Sequence, residues 1–194
     1  MTMLAISIRR LGASRLTFVG GIALFAAFTA LTARIAIPLP FTPVPITLQV
    51  MAVLLAGLVL GPRGGAISQL AYLAAVAAGA PLDARGLGPA ALLGPTAGYL
   101  LGFAPSAFLA GWLAERLHVM GAWVSSFVAA LAGVAVIYAC GLAWLAPSAG
   151  NLGAAWTLGA APFILLDLGK ALVAAAVAGS GRTLLVDNIV DKER

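Results

Sequence analysis

Between Leu16 and Gly181 the chain carries a charged side chain at only eight positions: Arg34, Arg63, Asp83, Arg85, Glu115, Arg116, Asp167 and Lys170. The intervals between them are long and apolar, and a run of about 18 or more such residues reads as a membrane span. In hydrocarbon every backbone N–H and C=O must find a partner within the protein, and runs like these do so as α-helices. Composition leads to the same class. The chain has 194 residues, 62% hydrophobic and 9% charged, with a mean hydropathy of +1.08, more apolar surface than a soluble domain of this size needs. The net charge of +5 does not point to nucleic acid, because the basic residues form short clusters between apolar runs, without a stripe of interleaved aromatics. Cys140 is the one cysteine; it cannot form an intrachain disulfide and reads as a packing residue.

Six spans account for the sequence, at about 16–37, 46–60, 64–79, 94–114, 119–145 and 157–179, in a single integral membrane domain covering residues 1–194. Arg9, Arg10 and Arg15 before the first run give a signal-peptide look. The run is nevertheless long enough to span, and more spans follow, so it is read as the first transmembrane helix. With the N-terminus inside, Arg9, Arg10, Arg15, Arg63, Arg116, Arg182, Lys192 and Arg194 fall on the inner side, and the outer loops hold only Arg85. That asymmetry obeys the positive-inside rule and puts both termini in the cytoplasm. Arg34 falls in the last turn of the first helix, where it can snorkel to the headgroups. Trp112 and Trp123 fall at the inner interface and Trp144 and Trp156 at the outer.

Several local features shape this bundle. Ala23/Ala27 and Ala26/Ala30 are small-xxx-small pairs that let another helix approach helix 1 closely. Pro38, Pro40, Pro43 and Pro45 exclude a helix between the first two spans and stiffen the chain. This segment, with Phe41, is expected to be a preshaped lid. Helices 2 and 3, joined by the turn Gly61-Pro62-Arg63-Gly64, are only about 24 Å long, short for the hydrocarbon core. Short spans leave room for a cavity at one face. Gly94, Gly98 and Gly102 recur every four residues as a close-packing stripe beside Tyr99, and Pro105 is a candidate kink.

The last span carries both an acid and a base, Asp167 and Lys170. Each costs about 3 kcal/mol at the centre of a membrane helix. Three residues apart, they share one helix face, which must look into the protein. Such a pair marks a functional site by default; the alternative is a self-satisfying ion pair that fixes helix packing. In the orientation above, the proline-rich loop, the Arg85 loop and the start of helix 6 lie on the outer side. The polar points of helices 2 and 3, Gln49, Ser68, Gln69 and Tyr72, are expected to converge there, with Asp167 and Lys170 one or two turns deeper. Thr47, Gln49, Thr96 and Tyr99 join that pair as candidate substrate-binding residues. The expectation is a pocket open outward and closed by loops.

Three ordered motifs carry a family resemblance. Pro43-Val-Pro-Ile-Thr-Leu-Gln49 followed by Ala56-Gly-Leu-Val-Leu-Gly-Pro-Arg63, then Gly94-Pro-Thr-Ala-Gly-Tyr-Leu-Leu-Gly-Phe103, then Pro162-Phe-Ile-Leu-Leu-Asp-Leu-Gly-Lys170 resemble the BioY family. Its members are the biotin-specific substrate-binding (S) components of energy-coupling factor (ECF) transporters. The resemblance runs from about residue 16 to 180, and it implies an all-α, six-helix S-component-like bundle in the bacterial cytoplasmic (inner) membrane. It also implies a transmembrane coupling subunit and two cytoplasmic ATPase subunits as partners. By the same resemblance, Ala23, Ala26, Ala27 and Ala30 resemble the surface that meets the coupling subunit. The loop bearing Pro40, Phe41, Pro43 and Pro45 resembles the lid, and Asp167 and Lys170 correspond to the polar pair of the last helix.

The chemistry suits that ligand. A ureido ring offers two N–H donors and one strong carbonyl acceptor; a carboxylate takes the former and an ammonium meets the latter, with apolar walls around the rest. Arg85 is the candidate for the valerate carboxylate. No phosphate-binding Gly-x-x-x-x-Gly-Lys-Ser/Thr loop occurs, so ATP is expected to act through partners, and no cofactor is expected in this chain. No metal-ligand cluster is evident, and His118, beside Glu115 and Arg116 in an inner loop, reads as surface. No histidine could reach the outer pocket to activate a hydroxyl, which argues against an enzyme. Two rivals share the features: a proton-coupled secondary carrier using Asp167 and Lys170, against which stands the lack of an inverted repeat, and an S component for another vitamin. Whether the chain works alone, as a homo-oligomer or with ATPases is left open.

Overall fold

In a computed structural model of the protein, residues 15–190 are described, with side chains through residue 181. Arg9, Arg10, Lys192 and Arg194 of the topology count lie outside the described residues, as does the side chain of Arg182.

Among the described residues the regular structure is helical apart from one short β-hairpin. Helix α1 is Arg15–Arg34; strands β1 (Ala36–Ile37) and β2 (Ile46–Thr47) pair antiparallel, with Ala36 opposite Thr47 and Ile37 opposite Ile46. Then follow α2 (Gln49–Ala77), a 3₁₀ turn (Gly88–Leu92), α3 (Ala97–Leu101), α4 (Phe103–Arg116), a second 3₁₀ turn (His118–Met120), α5 (Ala122–Ala149), α6 (Leu152–Gly159) and α7 (Ile164–Val190). Among the described residues five helices are long and apolar enough to cross a membrane, with α3 and α4 counting as one.

One of the five is not a rod. Within α2, Gly61 has φ 78° and ψ −179°, a conformation open to glycine and strained for other residues. The chain folds back there. The Gln49 side-chain amide donates to the Tyr72 hydroxyl at 2.8 Å, whereas 23 residues of straight helix would separate them by about 35 Å. A Cβ on Gly65 would lie 2.6 Å from the Cα of Gly57. Segments 49–60 and 62–77 are thus antiparallel neighbours, packed at backbone distance.

Glycines and alanines seat the remaining helices. A Cβ on Gly111 of α4 would meet Gly61 and Pro62 at 2.6 Å, and one on Gly133 of α5 would lie 2.6 Å from Leu54. Of the glycine stripe, Gly98 and Gly102 abut Trp144 and Cys140 of α5, while a Cβ on Gly94 would have only carbonyls of its own turn nearby. On α7, Asp167, Ala171, Ala174 and Ala178 are buried and Leu165, Leu168, Leu172 and Val177 are exposed. This is one inward stripe at helical spacing with an apolar outer face. Helix α1 leans on the second segment of the folded-back α2 through Phe18 against Gly64 and the Thr29 hydroxyl, 3.2 Å from Gln69 Oε1.

Several boundaries differ from expectation. The first helix ends at Arg34 rather than 37, and the second begins at Gln49 rather than 46. Ile37 precedes a proline, which disfavours helical ψ, and the freed ends pair as strands. The expected loop at 146–156 is largely helix: α5 runs to Ala149, and α6 begins at 152, capped by Asn151, whose side chain accepts the Ala154 N–H at 2.8 Å. The expected span from 157 is therefore cut, because Pro162 lacks an N–H and restricts Ala161. The span expected from 119 begins at Ala122, after Gly121 with φ 85°, and the one expected from 94 begins at Ala97.

Candidate functional site

The lid loop, the Arg85 loop, α6 and the start of α7 meet at one end of the bundle. Thr42 of the lid donates to the Leu158 carbonyl at 2.6 Å, and Trp144 Nε1 donates to the Gly94 carbonyl at 3.0 Å. Arg85 donates to the Pro43 carbonyl and Arg34 to the Pro81 carbonyl, so two guanidinium groups staple the loops over this end. Gly61 and Arg63 lie at the opposite end.

Beneath the loops lies a cavity with about 730 Å³ of atom-free space, counting its open mouth. Asp167, Lys170, Tyr99, Gln49, Thr47, Thr96 and Arg85 all line it. Its apolar walls come from Val44 and Pro45 of the lid, Val50, Leu100, Ile137 and Phe163.

The acid and base sit as one unit. Lys170 Nζ lies 2.6 Å from Asp167 Oδ1, with side chains 11% and 7% exposed. The Tyr138 hydroxyl donates to Asp167 Oδ2, also at 2.6 Å. Each carboxylate oxygen therefore has one donor, and each keeps further acceptor capacity. Lys170 has three N–H donors, of which Asp167 uses one.

The other polar side chains are held by the frame. Tyr99 donates its hydroxyl to the Gly159 carbonyl at 2.9 Å and presents its ring to the cavity. Gln49 is tied to Tyr72, and the Thr47 hydroxyl accepts the Gln49 N–H at 3.3 Å. Asp83, 3% exposed, shapes the loop that carries Arg85: its carboxylate accepts the Arg85 N–H at 3.0 Å and the Gly88 N–H at 2.7 Å. Arg85 stands at the mouth with its guanidinium on the lid.

Of the lid residues, Pro45 faces the cavity, Pro43 is half-buried with its carbonyl on Arg85, and Pro40 and Phe41 are exposed. The helix 1 alanines divide. Ala23 and Ala27 are exposed, Ala26 is half-buried and Ala30 is buried, the last two packing with Tyr72 and Val53 of α2. Only the first pair remains open to a partner.

Comparison with known proteins places the chain. The model described as BioY family matches residues 8–186. The chain belongs to the BioY family. A biotin transporter BioY from Rhizobium etli is 44% identical over 172 residues, 84% of this chain and 90% of that protein. Another, from Rhodobacter capsulatus, is 44% identical over 170 residues, 81% and 88% of the two chains. A probable biotin transporter BioY from Pyrococcus horikoshii is 41% identical over 158 residues, 81% and 91%. The crystal structure of the S-component for biotin from an ECF-type ABC transporter matches with a TM-score of 0.81 at 29% identity, over 89% of this chain and 94% of that one.

Two members of this BioY pocket escaped sequence reasoning. Tyr138 lies within an apolar run; the signal was its hydroxyl, which needs a partner inside a membrane helix. Asp83 looked like a loop charge, although an acid two residues before Arg85 is placed to accept a local N–H.

Proposed function

We infer that this chain binds biotin and serves as the substrate-specific component of an ECF-type uptake system. The observation that carries the reading is the Asp167–Lys170–Tyr138 group, an ion pair with its hydrogen-bond partner set in the wall of a lidded cavity. An isolated packing pair would have no reason to face a cavity. Relatives over most of the chain are named biotin transporters, and the matched crystal structure is a biotin S-component.

The recognition follows from the donor and acceptor inventory. The ureido carbonyl accepts from the free N–H groups of Lys170. The ureido N–H groups donate to Asp167, which lines the cavity and keeps acceptor capacity on both oxygens. Val50, Leu100, Ile137 and Phe163 cover the thiophane ring and the chain. Arg85, at the mouth, takes the valerate carboxylate as its guanidinium exchanges the Pro43 carbonyl for a charged partner.

The membrane arrangement proposed is six passes with both termini inside. It is supported by the fold-back at Gly61, which makes two antiparallel segments of α2, and by Arg63 and Arg116 lying at the end opposite the lid, where Arg116 stacks over Trp112 at 5.0 Å. Arg15, Arg63 and Arg116 gather at the end opposite the lid, against Arg34 and Arg85 at the lid end, and this excess turns the pocket outward across the cytoplasmic membrane. Ala23 and Ala27 form the surface for a transmembrane coupling subunit, which two ATPase subunits drive.

Titration calorimetry of the detergent-purified chain tests the ligand. Tight binding of biotin, lost for an analogue N-methylated on the ureido ring, is expected. Failure to bind biotin refutes the reading. Co-purification from native membranes tests the partners.

A further inference from the structure

We propose that Thr42 is the catch that sets how long the pocket stays shut, and that it closes on the same stretch of backbone that holds Tyr99 in the pocket wall. The observations lie at the C-terminal end of α6. Thr42 is buried although Phe41 beside it is exposed. Its hydroxyl donates to the Leu158 carbonyl at 2.6 Å and accepts the Val44 N–H at 3.1 Å. One side chain thereby both shapes the lid turn and fastens it across 116 residues of sequence.

The acceptor is available for a sequence reason. The carbonyls in the last turn of a helix lack intrahelical donors unless the helix continues. Four residues after Leu158 comes Pro162, which has no N–H to give. Four residues after Gly159 comes Phe163, whose N–H goes instead to the Ala160 carbonyl at 2.8 Å. Two consecutive carbonyls are thus left over. Leu158 receives the lid through Thr42, and Gly159 receives the wall through Tyr99 at 2.9 Å. Gly159 is required for this, since a Cβ there would collide with the Tyr99 hydroxyl.

Lid and wall therefore share one anchor of two peptide units. Opening the lid breaks the Thr42 bond and strips the part-buried Leu158 carbonyl of its side-chain donor, a loss confined to the open state. A ligand that presses on the Tyr99 ring acts on the neighbouring peptide. Thr42 touches no ligand in this scheme. It is a positioning residue whose effect appears in dissociation.

The proposal rests on the biotin reading for one assay and is independent of it for the other. In the first, Thr42→Val and Thr42→Ala release bound radiolabelled biotin about 5- to 50-fold faster than the parent chain, with little change in association rate. Thr42→Ser, which keeps the hydroxyl, releases at the parent rate. In the second, hydrogen exchange of the lid amides (Leu39, Phe41, Thr42 and Val44) in the ligand-free full chain is faster in both hydroxyl-lacking variants and normal in Thr42→Ser. Parent-like release in the Val and Ala variants, parent-like exchange in them, or a Ser variant as fast as Val overturns the catch. If the parent chain holds no biotin, the ligand assignment falls and the exchange comparison still decides the catch.

Discussion

Replacing Asp167 with asparagine separates recognition from packing. The carboxylate accepts from Lys170 at one oxygen and from Tyr138 at the other, both at 2.6 Å. The ion pair is about nine-tenths buried. Asparagine keeps the shape but replaces one acceptor oxygen with an NH₂ that can no longer accept from Tyr138 or a ligand, and it leaves the Lys170 ammonium without its counter-charge. Removing one partner of a buried pair costs about 3–5 kcal/mol of stability. Biotin loses charge-assisted hydrogen bonds to the acid, about 2–4 kcal/mol, or about 30- to 700-fold in Kd. The decisive comparison is the triple variant Asp167→Leu, Lys170→Met, Tyr138→Phe, which leaves no polar member unpaired. Its thermal stability in detergent should return to near the parent value, since apolar replacement of a whole buried network is often neutral or better. Its calorimetric binding of biotin should be abolished, since no polar member of the group is left. Parent-like affinity in Asp167→Asn, or biotin binding by the triple variant, would refute the assignment of this group to the ligand.

Other substitutions probe the surroundings. Tyr138→Phe removes one donor to Asp167 and should weaken biotin binding by about 0.5–1.5 kcal/mol in calorimetry, while unchanged affinity would make the tyrosine a spectator. Gly57→Ala puts a methyl 2.9 Å from the Ala107 carbonyl carbon, backbone that cannot yield, and should lower stability by about 1–3 kcal/mol. Gly20→Ala, with nothing within 4 Å, should leave the melting temperature the same or slightly higher. Ala27→Trp should block co-purification with a coupling subunit and leave biotin affinity unchanged; a normal complex would remove α1 from the interface.

Much of the bundle was legible because lipid punishes error. Six of the eight charges in the long apolar region fall at loops, turns or helix ends and so located them, and Gly61-Pro62-Arg63-Gly64 marked where the chain turns back. The Asp167 and Lys170 pair was legible as inward-facing for the same reason. What stayed hidden was weaker in energy or distant in sequence. Helix α6 was lost because apolar continuity outweighed two local signals, the Asn151 cap and the Pro162 break. Ala26 and Ala30 looked like part of an external stripe, and only the position of the α2 hairpin shows that they face inward. Arg85 was read toward a ligand, and its lid carbonyl partner depends on a loop 42 residues away.

By itself, then, the amino-acid sequence determined the solvent this chain must fold in and which of its groups could not face that solvent, since a charge or an unpaired backbone group in hydrocarbon costs more than any packing preference returns. Tertiary structure decided which oxygen meets which donor: Tyr138 on Asp167, Thr42 on Leu158, Tyr99 on Gly159. Those pairings are worth about 1 kcal/mol each and form wherever backbone approach allows, so they are set by how the glycine- and alanine-faced helices close against one another.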